Sequence, residues 1–290
     1  MRVLVLGGTG MLGHKLCQVL SRELVVFATF RSAAPPLPRF YGALTPIVGV
    51  DASSFSSVER AFSEARPDVV VNAVGVVKQR STDAVANITL NALLPHQLAD
   101  LCGASGARLL HLSTDCVFSG RAGNYRESDP PDPVDLYGRS KLLGEIAGAP
   151  ALTLRTSMIG REIGRPAGLL EWFLANAGGR VRGYARAVFS GLTTRTLAEL
   201  IARIIGERQD LVGIWHLGSA PIAKYDLLRR LDEVFATGTT VERDESVVCD
   251  RSLNADRFWR ETSWPRPSWD KMLVDLAADS RAYEEIHARR

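Results

Sequence analysis

MRVLVLGGTGMLG, residues 1–13, sets a short apolar run, Val3 to Leu6, directly against a cluster of glycines. The run is too short for a membrane span and suits a strand buried on both faces of a parallel sheet. Gly7, Gly10 and Gly13 then stand three apart, and Leu12, Leu16, Val19 and Leu20 recur at the spacing of one helix face. The order is strand, tight turn, helix. Glycine lets backbone N–H groups approach a pyrophosphate, whose charge the start of a helix favours. A turn that binds nothing is the alternative, but the context that the motif demands is present on both sides. The implied ligand is a dinucleotide, held by Gly7, Thr9, Gly10, Met11, Leu12 and Gly13.

Composition narrows the class. The 290 residues carry 35 basic and 32 acidic side chains, a net charge of +3, with no block of one sign. Nucleic acid and anionic membrane are therefore not indicated as partners, and a small molecule is. Cys17, Cys102, Cys116 and Cys249 lie far apart without a C-x-x-C pair, which argues against a disulfide framework and a zinc site. No metal is called for. The apolar run after Arg2 stops too early for a signal peptide, and no stretch approaches the ~20 apolar residues of a membrane span. The expectation is a soluble, cytoplasmic protein, with a homodimer left open.

The next elements repeat the pattern of the first. Leu24 to Phe30 reads as a second buried strand, followed by Arg31, and no Asp or Glu lies between Glu23 and Asp51. An acidic residue there would hold the ribose 2′-hydroxyl of NAD, whereas a basic one accommodates the 2′-phosphate of NADP. Arg31 thus favours NADP(H) over NAD(H), unless it is an ordinary surface arginine. Residues 33–38 read as a proline-rich loop. Ile47 to Asp51 reads as a third strand, closing on a carboxylate that faces the adenine. A helix with Val58, Ala61, Phe62 and Ala65 on one stripe leads to strand Val69-Val70-Val71. That strand opens into Asn72-Ala73-Val74-Gly75, small residues at a carboxyl end, where backbone meets cofactor. Asn91, within a long helical segment, reads as a structural hydrogen-bonding residue.

Leu109 to Leu112 forms a further core strand and delivers Ser113-Thr114-Asp115 to the same sheet edge. Farther on, Tyr137 and Lys141 stand four apart, on one face if the segment is helical. A tyrosine with a pKa near its usual ~10 is a poor acid or base at neutrality unless a cation stabilises its phenolate, and Lys141 supplies one. Alternation of strand and helix gives a Rossmann-like, doubly wound parallel sheet over residues 1–156. Residues 157–290 then form a smaller, mostly helical, discontinuous lobe. Within it a segment near 188–217, ending in Ile214 to Leu217, returns to the main sheet. Arg180, Arg182 and Arg186 form a basic group able to meet a diphosphate, although solvated arginines are commoner.

Together the glycine turn, Asn72-Ala73, Ser113 to Gly120, Tyr137-x-x-x-Lys141 and Arg155-Thr156-Ser157 resemble the extended short-chain dehydrogenase/reductases. Among these the chain is most similar to the dTDP-4-dehydrorhamnose reductases, over about the first 160 residues. The resemblance implies NADPH-dependent reduction of the 4-keto group of a nucleotide-activated 6-deoxy sugar. It makes Thr114 the partner of the reacting oxygen, Tyr137 the proton donor, and Lys141 the holder of the nicotinamide ribose that also tunes Tyr137. It adds Ser113 and Thr156 to the cofactor contacts and Val76, Asp115 and Met158, with Arg182, to the substrate contacts. Related 4,6-dehydratases place Glu, their base, where this chain has Cys116, so water elimination loses its base. The family's reductases typically have Tyr there and an Ala-Ala-like stretch at Val74 to Lys78, two departures that concern the choice of sugar. Two other readings stay open: an epimerase or dehydratase recycling bound NAD, and a non-catalytic regulatory subunit similar to that of methionine adenosyltransferase.

Overall fold

A computed structural model describes residues 1–32, 38–77, 83–163 and 167–288. Residues 33–37 of the proline-rich stretch and Lys78 lie outside the described residues. In chain order the elements are β1 (Arg2–Leu6), α1 (Gly13–Leu20), β2 (Val25–Phe30), α2 (Pro38–Tyr41), β3 (Leu44–Val48), α3 (Phe55–Ala65) and β4 (Val69–Asn72). There follow α4 (Ala84–Asn87), a π-helical turn (Ile88–Leu93), α5 (Leu94–Ser105), β5 (Arg108–Thr114), α6 (Leu136–Leu143) and β6 (Ala151–Thr156). The remainder is β7 (Met158–Ile159), α7 (Leu169–Ala175), β8 (Arg180–Phe189), β9 (Leu192–Thr193), α8 (Thr194–Glu207), β10 (Gly213–His216), β11 (Ile222–Ala223), α9 (Lys224–Phe235), β12 (Thr240–Asp250), α10 (Asp256–Thr262) and α11 (Trp269–Ala288).

The chain divides into two compact units. The first comprises Met1–Thr114, Asp135–Arg155 and Ala198–Trp215, and the second Asp115–Val134, Thr156–Leu197 and His216–Arg290. Residues 115–134 thus group with the second unit although they precede residue 156.

A seven-stranded sheet in the order β10-β6-β5-β4-β1-β2-β3 organises the first unit. From β3 through β5 every neighbouring pair is parallel. The chain winds outward from β1 to β3, then returns to β4 beside β1 and winds the other way, so the switch point lies between β1 and β4. Val3, Leu4, Val5 and Leu6 are all at most 1% exposed, which is why β1 shows no polar alternation. Leu4 and Leu6 pack in one cluster with Val58 and Phe62 of α3 and Leu94 and Leu98 of α5. The third strand lies three residues earlier than read, at Leu44–Val48: Gly49 at φ +69° ends it, leaving Asp51 in the turn beyond.

The second unit keeps the expected helices and adds a three-stranded sheet, β11-β8-β12, and a two-stranded one, β7-β9. The basic stretch from Arg180 is the start of β8. There Arg180 and Arg182 point outward while Val181 and Gly183 are buried, so the cluster of arginines is strand alternation. Arg180 pairs with Glu242 at 3.2 Å and Arg182 with Asp244 at 3.5 Å, both on β12. No helix among the described residues is long and apolar enough to cross a membrane.

Because Leu4 is fully buried between strand neighbours and α3, Leu4→Ala leaves a cavity that the central strand cannot close. Urea unfolding should show a loss of about 2–5 kcal/mol. A loss under about 1 kcal/mol would mean that this strand is not the centre of the core.

Candidate active site

At the end of β1 the backbone turns sharply, with Gly7 at φ +85°. Its N–H donates to Thr29 Oγ1 and the Gly8 N–H to the Thr29 carbonyl, each at 3.0 Å, tying the turn to the end of β2. Gly10 N–H closes on the Gly7 carbonyl at 2.9 Å. A Cβ on Gly13 would overlap that same carbonyl oxygen, so only glycine lets α1 start this close to β1. Among the described residues no side chain caps α1 and its first turn holds no acid, an arrangement that a bound phosphate completes. The turn therefore fits a dinucleotide pyrophosphate. His14, which the sequence reading passed over, donates from Nδ1 to the Gly10 carbonyl at 2.7 Å and stacks on Phe40.

Arg31 follows β2 and is exposed. Across the neighbouring turn, Asp51 accepts from the Ser53 N–H at 3.0 Å and the Ser53 hydroxyl at 2.8 Å. These bonds hold its carboxyl below the usual range, and the Arg31 charge adds to the effect. Arg31 and Asp51 thus stand near each other on the edge that carries the glycine turn.

The loop after β4 is fixed by two asparagines. Asn72 accepts from the Val74 N–H at 3.1 Å and donates to His111 Nδ1 at 3.2 Å. Asn91, buried in the π-helical turn, accepts from the Val76 N–H at 2.9 Å and donates to the Val76 carbonyl at 3.0 Å and to Ser140 Oγ at 3.1 Å. Ala73, Val74, Gly75 and Val76 are thereby held against α6. A Cβ on Gly75 would lie 3.6 Å from Lys141 Nζ.

Asp135 caps α6 through the Gly138 N–H at 2.8 Å, so Tyr137 sits in the first turn and Lys141 one turn later. Thr114 ends β5 and is buried, as is Ser113 beside it. Lys141 is also buried and donates to the Leu112 carbonyl at 2.6 Å. Burial brings its ammonium down to about 8, with the Glu145 charge acting against the fall. Near neutrality it remains a cation. Glu145, likewise missed on the sequence, lies two residues beyond α6. It accepts from Ser113 Oγ at 2.6 Å and from Arg155 Nε and Nη2 at 2.8 and 2.7 Å. The four-residue spacing of Tyr137 and Lys141 does not extend to it, because α6 ends at Leu143.

The first unit thus brings together the glycine turn, Arg31, Asp51, Ala73 to Val76, Ser113, Thr114, Tyr137 and Lys141. Asp115, Thr156, Met158 and Arg182 belong to the second unit. Asp115 opens a buried 3₁₀ turn, Thr156 precedes β7, Met158 begins that strand opposite Leu192, and Arg182 keeps its partner on β12.

A family profile described as "RmlD substrate binding domain" matches residues 1–242. The chain belongs to this family. A dTDP-4-dehydrorhamnose reductase from Streptomyces griseus is 36% identical over 152 residues, 50% of this chain but only 44% of that protein. A probable dTDP-4,6-dihydroxy-2-methyloxan-3-one 4-ketoreductase from Streptomyces antibioticus is 30% identical over 100% of this chain and 99% of its own. The crystal structure of a hypothetical dTDP-4-dehydrorhamnose reductase from Sulfolobus tokodaii superposes with a TM-score of 0.75 at 26% identity, covering 90% of this chain and 94% of that one.

For this RmlD-family chain, Gly13→Ala is the sharpest probe of the glycine turn, because the added methyl displaces the Gly7 carbonyl rather than a flexible side chain. Calorimetric titration with NADPH should give a Kd raised about tenfold or more, the loss of one charge-assisted contact. Unchanged affinity would place the nucleotide elsewhere.

Proposed function

We propose that this protein is an NADPH-dependent reductase of the 4-keto group of a nucleotide-activated 6-deoxy sugar. The observation that carries the reading is the placing of Lys141 Nζ, one turn from Tyr137, beside Gly75 of the loop after β4. A cation at that point serves the tyrosine and the cofactor loop at once. Thr114 at the end of β5 supplies a hydroxyl on the same sheet edge.

When bound, the nicotinamide supplies the hydride. Gly7 to Gly13 and Ala73 to Gly75 would hold the dinucleotide, with Ser113 and Thr156 as further contacts. Tyr137 gives its phenolic proton to the carbonyl oxygen as that oxygen gains charge, and Lys141 stabilises the phenolate left behind. Thr114 hydrogen-bonds the same oxygen and fixes its direction. Val76, Asp115, Met158 and Arg182 are the proposed sugar-nucleotide contacts. Cys116, in the position where related dehydratases carry their base, has no carboxylate to remove a proton, which supports reduction over elimination.

Tyr137→Phe keeps the ring and removes the proton donor. With dTDP-4-dehydrorhamnose and NADPH, kcat should fall about 10²–10⁴-fold while NADPH binding persists. Activity within a few-fold of wild type would show that Tyr137 is not the donor. Wild-type protein that oxidises NADPH with no 4-keto sugar, or that purifies with NAD and turns over without added cofactor, would overturn the reductase reading.

Cofactor choice is tested at Arg31. A charge-assisted contact with the 2′-phosphate is worth about 1.5–3 kcal/mol, so Arg31→Ala should raise the NADPH Kd about tenfold or more and leave NADH nearly untouched. Equal losses for the two cofactors would mark Arg31 as structural.

A further inference from the structure

Lys141 is held in place by contacts that the reaction as described leaves without a role. The chain through α6 and just past its end is joined to β5 twice in succession, by Lys141 Nζ on the Leu112 carbonyl and by Ser113 Oγ on Glu145. It is joined to β6 by the two-pronged contact of Arg155 with both Glu145 oxygens. The Arg155 and Glu145 side chains are 4% and 3% exposed, so this ion pair is insulated from solvent and from salt. Its members lie on β6 and in the chain just past α6, and they meet beside Ser113. A buried pair is weak evidence for stability, because desolvation offsets much of the attraction. Its position beside the lysine calls for another explanation.

We propose that Glu145 is a positioning residue for the Tyr137 and Lys141 pair: its carboxylate, locked by Arg155 and Ser113, keeps Lys141 an ammonium and fixes the end of α6 against β5. This rests on the reading of Tyr137 and Lys141 as the catalytic pair. The groups acting on Lys141 can be named. His111, on β5, is fully buried and its pKa is pushed well below the ordinary value, first by desolvation and then by Lys141 and His96, so it offers a neutral imidazole. Arg155 sets its charge directly against both Glu145 oxygens. What remains against burial is the Glu145 carboxylate.

The sign follows. Lys141 is charged below its midpoint and loses its charge as the pH rises through it. Removing the Glu145 charge while Arg155 stays lowers that midpoint; removing the Arg155 charge while Glu145 stays raises it. Simple damage to the fold would not move the two variants in opposite directions. The chain has five lysines, Lys15, Lys78, Lys141, Lys224 and Lys271, so carbon-13 labelling at lysine Cε gives a spectrum in which Lys141 can be assigned with Lys141→Arg.

The experiment titrates the full-length wild type, Glu145→Gln and Arg155→Gln by NMR. It also records kcat against pH for each with NADPH and dTDP-4-dehydrorhamnose. The wild-type Lys141 midpoint should fall near the value of about 8 that its surroundings give. Glu145→Gln should lower it by about one pH unit or more, the effect of one unit charge at short range in a protein interior. Arg155→Gln should raise it, and the basic limb of the kcat profile should follow in both. Shifts in the same direction, no shift in Glu145→Gln, or a limb that stays while the midpoint moves would overturn the proposal. So would a wild-type midpoint below about 7, a result that needs neither variant to fold. A wild type inactive with 4-keto sugars would sink the reductase reading alone, since the NMR titration needs no turnover.

Discussion

Gly13 meets the Gly7 carbonyl with no room between them for a Cβ, and the position of the site depends on that approach. With no Cβ at Gly13, α1 begins against the end of β1 rather than a side chain's width away. Helix dipole and strand end are thereby focused on one point. Since β1 is flanked by β2 and β4, whatever leaves their carboxyl ends arrives at the same edge. Thr29 leaves β2 and secures the turn; Asn72 leaves β4 and secures the next loop.

Next to this backbone site the protein buries charge. Two cations, Lys141 and Arg155, and one carboxylate, Glu145, lie within the first unit at a few per cent exposure. Removing one partner of such a group typically costs about 3–5 kcal/mol, whereas an apolar replacement of the whole is often neutral. Retention of the ionic form is thus better explained by what it does for the lysine than by stability. The second unit has its own buried pair, Arg161 with Glu171 at 2.8 Å, where Arg161 also donates to the Ser280 carbonyl of α11. The first pair has an ionisable lysine within reach of its carboxylate's charge, Lys141.

How far the sequence spoke depended on how local the deciding physics was. The apolar run of β1, the glycine spacing and the alternation of strands with helices are properties of neighbouring residues, and they sufficed for the Rossmann-like sheet. Tyr137 and Lys141 were legible because a helix puts residues four apart on one face. Glu145 was not, since its meaning comes from Ser113, 32 positions earlier, and Arg155, 10 positions later. The arginines from Arg180 read as a basic group because charge is conspicuous, whereas the strand that sets Arg180 and Arg182 on one face is less so. Their partners Glu242 and Asp244 sit on β12, about sixty positions on. Residues 115–134 grouped with the second unit for a similar reason: Asn124 N–H donates to Ser252 Oγ at 2.8 Å across 128 positions.

Asn91 shows why the region around Lys141 behaves as one piece. An ordinary α-helical turn has no spare residue, whereas the π-helical turn over Ile88–Leu93 inserts one and commonly marks a functional position. The Asn91 amide reaches both polar groups of Val76 and, through Ser140 Oγ, the Tyr137 carbonyl, which Ser140 bonds at 2.9 Å. A Cβ on Gly144 would overlap the Asn91 carbonyl, so the end of α6 presses directly on the same turn. An apolar side chain of equal size would leave the Val76 N–H and carbonyl without these partners, at about 1–3 kcal/mol for each group left unsatisfied. Asn91 is therefore structural, as its mid-helix position suggested, yet what it supports is the spacing between the loop after β4 and the helix that carries Tyr137 and Lys141.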